Sequence, residues 1–104
     1  MSGIDCSGFT QIVFTFLGKE IPRDASQQAL SGKSVSFNEA EVGDLVFFKS
    51  EKGSINHVGI LLHQSKIIHA SGRVRIDSLT KEGIVNDETT KLSHQLASIQ
   101  RILS

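Results

Sequence analysis

The stretch His57-Val58-Gly59-Ile60-Leu61-Leu62-His63-Gln64-Ser65-Lys66-Ile67-Ile68-His69-Ala70 decides the fold. Two apolar runs of strand length, 57–62 and 66–70, flank a polar link at 63–65, which is the pattern of an antiparallel hairpin. A link with an odd number of residues sets Gly59 opposite His69. His57 then shares a face with His69, on the diagonal and within reach of its ring. Gly59 between them is expected to leave that face open for the histidines to approach a partner. A four-residue link would send the two rings to opposite faces, so this register carries the chemistry as well as the fold.

Upstream of the hairpin, Glu41-Val42-Gly43-Asp44 reads as a turn that delivers Leu45-Val46-Phe47-Phe48, an apolar run of strand length. The polar stretch from Lys49 to Asn56, with Gly53, is a loop. Ser34 to Phe37 is expected to be a short extended piece. Pro22 ends what precedes it, and Asp24 can cap a short helix over 25–30, stopped by Ser31-Gly32. From Ser7 to Leu17, Phe9, Ile12, Val13, Phe16 and Leu17 recur at helical spacing and define the expected buried stripe, with Phe14 off it. Asp5 suits the N-cap and Gly18 the residue after the last turn. Thr10, Ile12, Val13 and Thr15 are β-branched, so packing must hold this buried helix.

Downstream, Arg73-Val74-Arg75-Ile76-Asp77 alternates strictly and reads as a half-exposed strand. Residues 81–90 are charged and polar, the weakest signal in the chain. Residues 97–103 read as a closing strand, with Leu92 and Leu96 in a short turn of helix before it. Helices come first and about five strands follow, which gives an α+β class, the cysteine helix packed on an antiparallel sheet, in a single domain over 1–104.

Composition narrows the function. Eleven basic residues offset eleven acidic ones, so no global field draws nucleic acid or an anionic membrane. Six Phe with no Trp or Tyr leave few rings for stacking on bases or sugars. No stretch approaches the ~20 apolar residues of a membrane span. Met1-Ser2-Gly3-Ile4 is no signal peptide, so any export signal would lie upstream, and the abrupt start is expected of a fragment or a domain cut at its edge. The single cysteine rules out an internal disulfide.

That cysteine, Cys6, opens the first helix, where unpaired N–H groups and the helix dipole favour a thiolate. Those N–H groups can also hold an oxyanion, and Gly8 leaves room for a substrate backbone. A lone cysteine is more often a small buried residue. The paired histidines change that balance. His57 would take the thiol proton, and His69 would hydrogen-bond the other ring nitrogen of His57 and fix its aim, as an uncharged orienter. His63, in the turn, and His94, in the polar C-terminal segment, read as surface residues. Cys6, His57 and His69 could ligate zinc in type, but their spacing matches no usual zinc pattern, and no cofactor is expected.

Asp5-Cys6-Ser7-Gly8-Phe9, Gly43-Asp44-Leu45-Val46-Phe47-Phe48, His57-Val58-Gly59-Ile60 and Ile68-His69-Ala70-Ser71 together resemble the NlpC/P60 cysteine peptidases, in the family's order. Pro22-Arg23-Asp24-Ala25-Ser26-Gln27-Gln28 resembles the family's stretch after the first helix. The resemblance implies a papain-like fold and hydrolysis of bacterial cell-wall stem peptides or muropeptides, typically between D-γ-glutamyl and a diamino acid such as diaminopimelate. It maps the catalytic set onto Cys6, His57 and His69. Members that cut near a free L-Ala terminus use residues matching Asp5, Ser7 and Ser26; a carboxylate at Asp5 could meet the substrate ammonium or merely cap the helix. Arg23 could meet a substrate carboxylate or pair with a local acid. The chain departs from the family in lacking the aromatic- and glycine-rich strand before the cysteine, and upstream SH3-like or wall-binding domains. The implied location is the cell envelope or outside the cell, or the cytoplasm for muropeptide recycling. Two alternatives stand beside the peptidase reading: a catalytically weak or inactive module that binds wall peptides, and an acyltransferase that uses the same Cys-His-His set to deliver the acyl group to an amine.

Overall fold

The computed structural model describes residues 6–70 and 73–102. Two helices, α1 (Cys6–Phe16) and α2 (Ala25–Gln28), precede seven strands: β1 (Lys33–Ser34), β2 (Leu45–Lys49), β3 (Ile55–Leu62), β4 (Lys66–Ala70), β5 (Val74–Leu79), β6 (Gly83–Val85) and β7 (Leu92–Arg101). All pairings are antiparallel, in the order β1-β7-β2-β3-β4-β5-β6. β6 also pairs with β7, so six of the strands close into a barrel and β1 lies outside it on β7. The class is α+β as expected, but the sheet has seven strands, not five. The two extra ones are β1, which overlaps the expected extended piece only at Ser34, and β6, in the polar 81–90 region. Residues 92–96, expected as helix, instead lengthen the closing strand as the first half of β7.

The barrel explains the unbroken apolar run of β2. Val46 and Phe48 point inward to a core with Leu61, Ile67, Leu79, Ile84 and Ile99. Leu45 and Phe47 point outward to a second core with Val58, Ile60, Phe14 and Ile21 beneath the helices. A strand covered on both faces needs no polar side, which is why alternation disappears there. Small barrels of this kind are filled by side chains.

α1 lies on the outside of β3 and β4. Its buried arc is Ser7, Gly8, Thr10 and Phe14, flanked by Cys6, Phe9 and Val13. The expected stripe was right at Phe9 and Val13 and wrong beyond them: Ile12, Leu17 and Phe16 are exposed, Phe16 by 93%. Polar contacts set the rotation of the helix. Gln28 of α2 is fully buried, accepts from Thr10 Oγ1 at 2.9 Å, and donates to the carbonyls of Ser7 (3.1 Å) and Pro22 (2.7 Å). Turning the helix to bury Ile12 and Phe16 would strip these groups of their partners. Asp24 occupies the N-cap of α2, though its side chain makes no capping bond. Gly18 (φ +83°) ends α1 as expected.

The turn before β2 is pinned by an ion pair between the half-buried Arg101 and the buried Asp44. Arg101 donates from Nε and Nη2 to the two oxygens of Asp44 at 3.0 and 2.9 Å, and the Glu41 N–H donates to Asp44 Oδ2 at 2.8 Å. The start of β2 is thereby tied to the end of β7.

Candidate active site

The link 63–65 forms one turn of 3-10 helix, an odd-numbered connection, and the register follows: Gly59 pairs with His69. His57, Gly59 and Leu61 therefore face the barrel interior together with Ile67 and His69. His57 Nε2 lies 2.8 Å from His69 Nδ1, with both rings buried and nearly perpendicular.

Gly59 does not leave this face open. A Cβ there would sit 2.8 Å from Ile67 Cδ1, 2.9 Å from Ile67 Cγ1 and 3.0 Å from the Ile68 carbonyl oxygen. The missing side chain makes room for Ile67, and so lets β4 approach β3 closely enough for the rings to meet.

The histidine pair continues into residues that the sequence reading left out. His69 Nε2 lies 2.8 Å from Asp77 Oδ2. Arg75 donates from Nε to the same oxygen at 2.8 Å and from Nη2 to Oδ1 at 3.1 Å, and the Asp87 N–H adds a bond to Oδ1 at 3.0 Å. Burial would raise the pKa of Asp77, but the Arg75 bond, then the Asp87 N–H and His69, outweigh it and hold the carboxyl at about 2. His69, expected as the orienter, is thus itself backed by a carboxylate that the sequence reading did not include. The alternation of β5 is right in period and inverted in meaning: Ile76 is 52% exposed and Asp77 1%. The signal was present, since Arg75 pairs with His69 and Asp77 follows on the same face.

His94 is no surface residue either. It is half-buried, and its ring stacks on His57 with centroids 4.1 Å apart and planes 22° apart. Burial first, then His94 and His69, push the His57 pKa from 6.5 down to about 3. The ring is therefore a neutral base at neutral pH, and not a resting cation. Burial also lowers the pKa of His94, with His69 adding to the effect.

Cys6 begins α1, half-buried against the outer core beside Val58 and Ile60. Among the described residues no hydrogen bond joins it to His57. The Ser7 hydroxyl accepts from Arg23 Nη1 at 2.9 Å. Ser26 is exposed on α2, and no hydrogen bond among the described residues joins it to Ser7 or Cys6. Asp5 lies outside the described residues. No group of three or more His, Cys, Asp or Glu among the described residues is placed to hold a metal ion, and no helix is long and apolar enough to cross a membrane.

The chain is 46% identical over 70 residues to the γ-D-glutamyl-L-lysine dipeptidyl-peptidase of Bacillus subtilis (strain 168), covering 65% of this chain and 24% of that one. It is 46% identical over 71 residues to the murein DD-endopeptidase MepS/murein LD-carboxypeptidase of Escherichia coli (strain K12), covering 66% and 37%. This chain thus spans well under half the length of these relatives. The crystal structure of an NlpC/P60 family protein from Bacillus cereus ATCC 10987 superposes with a TM-score of 0.81 at 32% identity, covering 97% of this chain and 32% of that one. The NlpC/P60 family model matches residues 1–93. With nearly the whole chain matched in sequence and in fold, it belongs to the NlpC/P60 family.

Proposed function

We propose that this domain is a cysteine peptidase acting on bacterial cell-wall stem peptides, at the bond between D-γ-glutamyl and a diamino acid. The observation that carries the reading is the buried 2.8 Å contact between His57 and His69. Fixing one ring nitrogen of a neutral histidine leaves the other, Nδ1, to act as a base. Relatives named as a γ-D-glutamyl-L-lysine dipeptidyl-peptidase and a murein endopeptidase support the substrate class.

In this reading His57 Nδ1 takes the proton of the Cys6 thiol as the sulfur attacks the scissile carbonyl. N–H groups in the first turn of α1 hold the oxyanion. The tetrahedral intermediate collapses to an acyl-enzyme, and His57 returns the proton to the leaving amine. A water, deprotonated by His57, then cleaves the thioester, releasing the acid and the free thiol. The Cys6–His57 hydrogen bond closes with substrate in place, as such bonds commonly do. Asp5, Ser7 and Ser26 serve the amine end of the peptide, with Arg23 orienting the Ser7 hydroxyl.

The test is Cys6→Ala assayed on a γ-D-glutamyl-diaminopimelate peptide. Cleavage should vanish while the circular dichroism spectrum and melting temperature stay put. Retained cleavage would overturn the reading, and transfer to an added amine in place of hydrolysis would assign the acyltransferase alternative.

A further inference from the structure

Arg75 and Asp77 have no part in the bond changes above, yet they terminate the histidine pair. The hydrogen-bond pattern can be solved from that end. The Asp77 carboxylate is ionised at neutral pH, so each of its oxygens can only accept. Oδ1 takes the Arg75 Nη2 and Asp87 N–H donors, and Oδ2 takes Arg75 Nε. His69 Nε2, 2.8 Å from Oδ2, must therefore carry a hydrogen.

A doubly protonated His69 would place a cation in the barrel beside a carboxylate to which Arg75 already donates two bonds, while Arg75 also reaches the exposed Glu88 at 3.1 Å. A buried charge without its own counter-ion is disfavoured. With its hydrogen on Nε2 alone, His69 has a bare acceptor at Nδ1, and the 2.8 Å contact requires His57 Nε2 to be the donor. The remaining nitrogen of His57, Nδ1, then keeps its lone pair. Among the described residues nothing donates to it.

We infer that Asp77, clamped by Arg75, is a positioning residue that fixes both His69 and His57 as Nε2–H tautomers and so makes His57 Nδ1 the basic nitrogen. This rests on the reading of Cys6 and His57 as nucleophile and base. A purely structural Arg75–Asp77 pair would hold β5 in place without selecting a tautomer.

Asp77→Asn separates the two roles. The new NH2 group can replace Oδ1, where it meets two fixed donors, or Oδ2, where it meets Arg75 Nε and a histidine able to change tautomer. The second arrangement leaves fewer clashing donors. It turns His69 Nε2 into an acceptor, moves the proton to His69 Nδ1, and converts His57 Nε2 into an acceptor with Nδ1 protonated. The base is then lost with little change in shape.

The experiment is long-range proton–nitrogen NMR of the histidine rings at pH 7 in the full chain, with steady-state kinetics beside it. Wild type should show Nε2 protonated and Nδ1 bare on both His57 and His69; a protonated Nδ1 on either ring overturns the inference, whether or not the variant folds. Asp77→Asn should show the reversed pattern. Its kcat should fall at least about 100-fold, towards the roughly 10⁴-fold loss known for an amide in place of an orienting carboxylate, with KM within about twofold. Unchanged tautomers or unchanged kcat in a folded variant would also overturn it. Failure of the underlying reading is separate, because it appears as undiminished cleavage by Cys6→Ala while the spectra still report the tautomers.

Discussion

Gly59→Ala tests the packing beneath the histidine pair. The added methyl would lie 2.8 and 2.9 Å from two Ile67 side-chain atoms and 3.0 Å from the Ile68 carbonyl oxygen. Ile67 is fully buried in the barrel core, and a strand carbonyl cannot swing aside, so β4 must shift. Overpacking of this kind costs about 1–3 kcal/mol. Alanine returns about 0.4–1 kcal/mol by restricting the unfolded chain, since Gly59 has no left-handed φ to lose. The clash wins, for a net loss of about 1–2 kcal/mol. In a domain of this size that lowers Tm by roughly 5–15 °C. Guanidinium denaturation should show a lower midpoint at constant m. The double variant with Ile67→Val, which deletes the closest methyl, should be more stable than the sum of the singles by at least about 0.5 kcal/mol. A variant as stable as wild type, or strictly additive singles, would refute this account of Gly59.

Acid should weaken the fold before it protonates ordinary carboxylates. His57 is held at about 3 against 6.5 when unfolded, so the unfolded chain binds more protons between these values and stability falls as pH drops from 6.5. The loss reaches roughly 4 kcal/mol by pH 3, with His94 adding in the same direction and Asp77 only as pH falls from about 4 towards 2. Denaturation midpoints measured from pH 8 to 4 check this, and a flat profile between 7 and 5 would contradict it. Gln28→Ala should cost about 3 kcal/mol, because it takes the donor from the Pro22 carbonyl, leaves Thr10 and the Ser7 carbonyl with only their bond to each other, and opens a cavity. It should also lower kcat by disturbing the Ser7 carbonyl next to Cys6. A thermal shift typical of a surface substitution would refute that role.

The hairpin was legible because a two-residue period leaves one choice once the link length is odd, and Gly59↔His69 followed from it. The cysteine at the start of α1 was legible from helical spacing. What escaped had a common cause. Closure of the barrel reverses the usual meaning of polar residues on a strand, so the alternation of β5 was read as a solvent face when Asp77 points into the core. The same closure brings His94 from β7 onto His57, a meeting across long sequence separation that no local pattern encodes. The rotation of α1 was misjudged because apolar spacing was weighed without Gln28, whose buried amide fixes the helix through Thr10 and Ser7.

Closure of the sheet through β6 and β7 also bears on how a peptide can be held. Extended peptides are often captured as an added strand along a free sheet edge, where main-chain groups supply affinity without regard to side chains. In this domain β2, β3 and β4 are paired on both sides, β5 meets β6 only at Ser78 and Leu79, and among the described residues the strand outside the ring is β1, two exposed residues long with Lys33 at its start. An edge that short and charged resists pairing with another chain. A stem peptide, the substrate proposed above, would then find little to pair with along β1, so recognition there falls to its side chains and termini, the parts that distinguish one wall chemistry from another. The same short, charged edge disfavours joining copies strand to strand along β1.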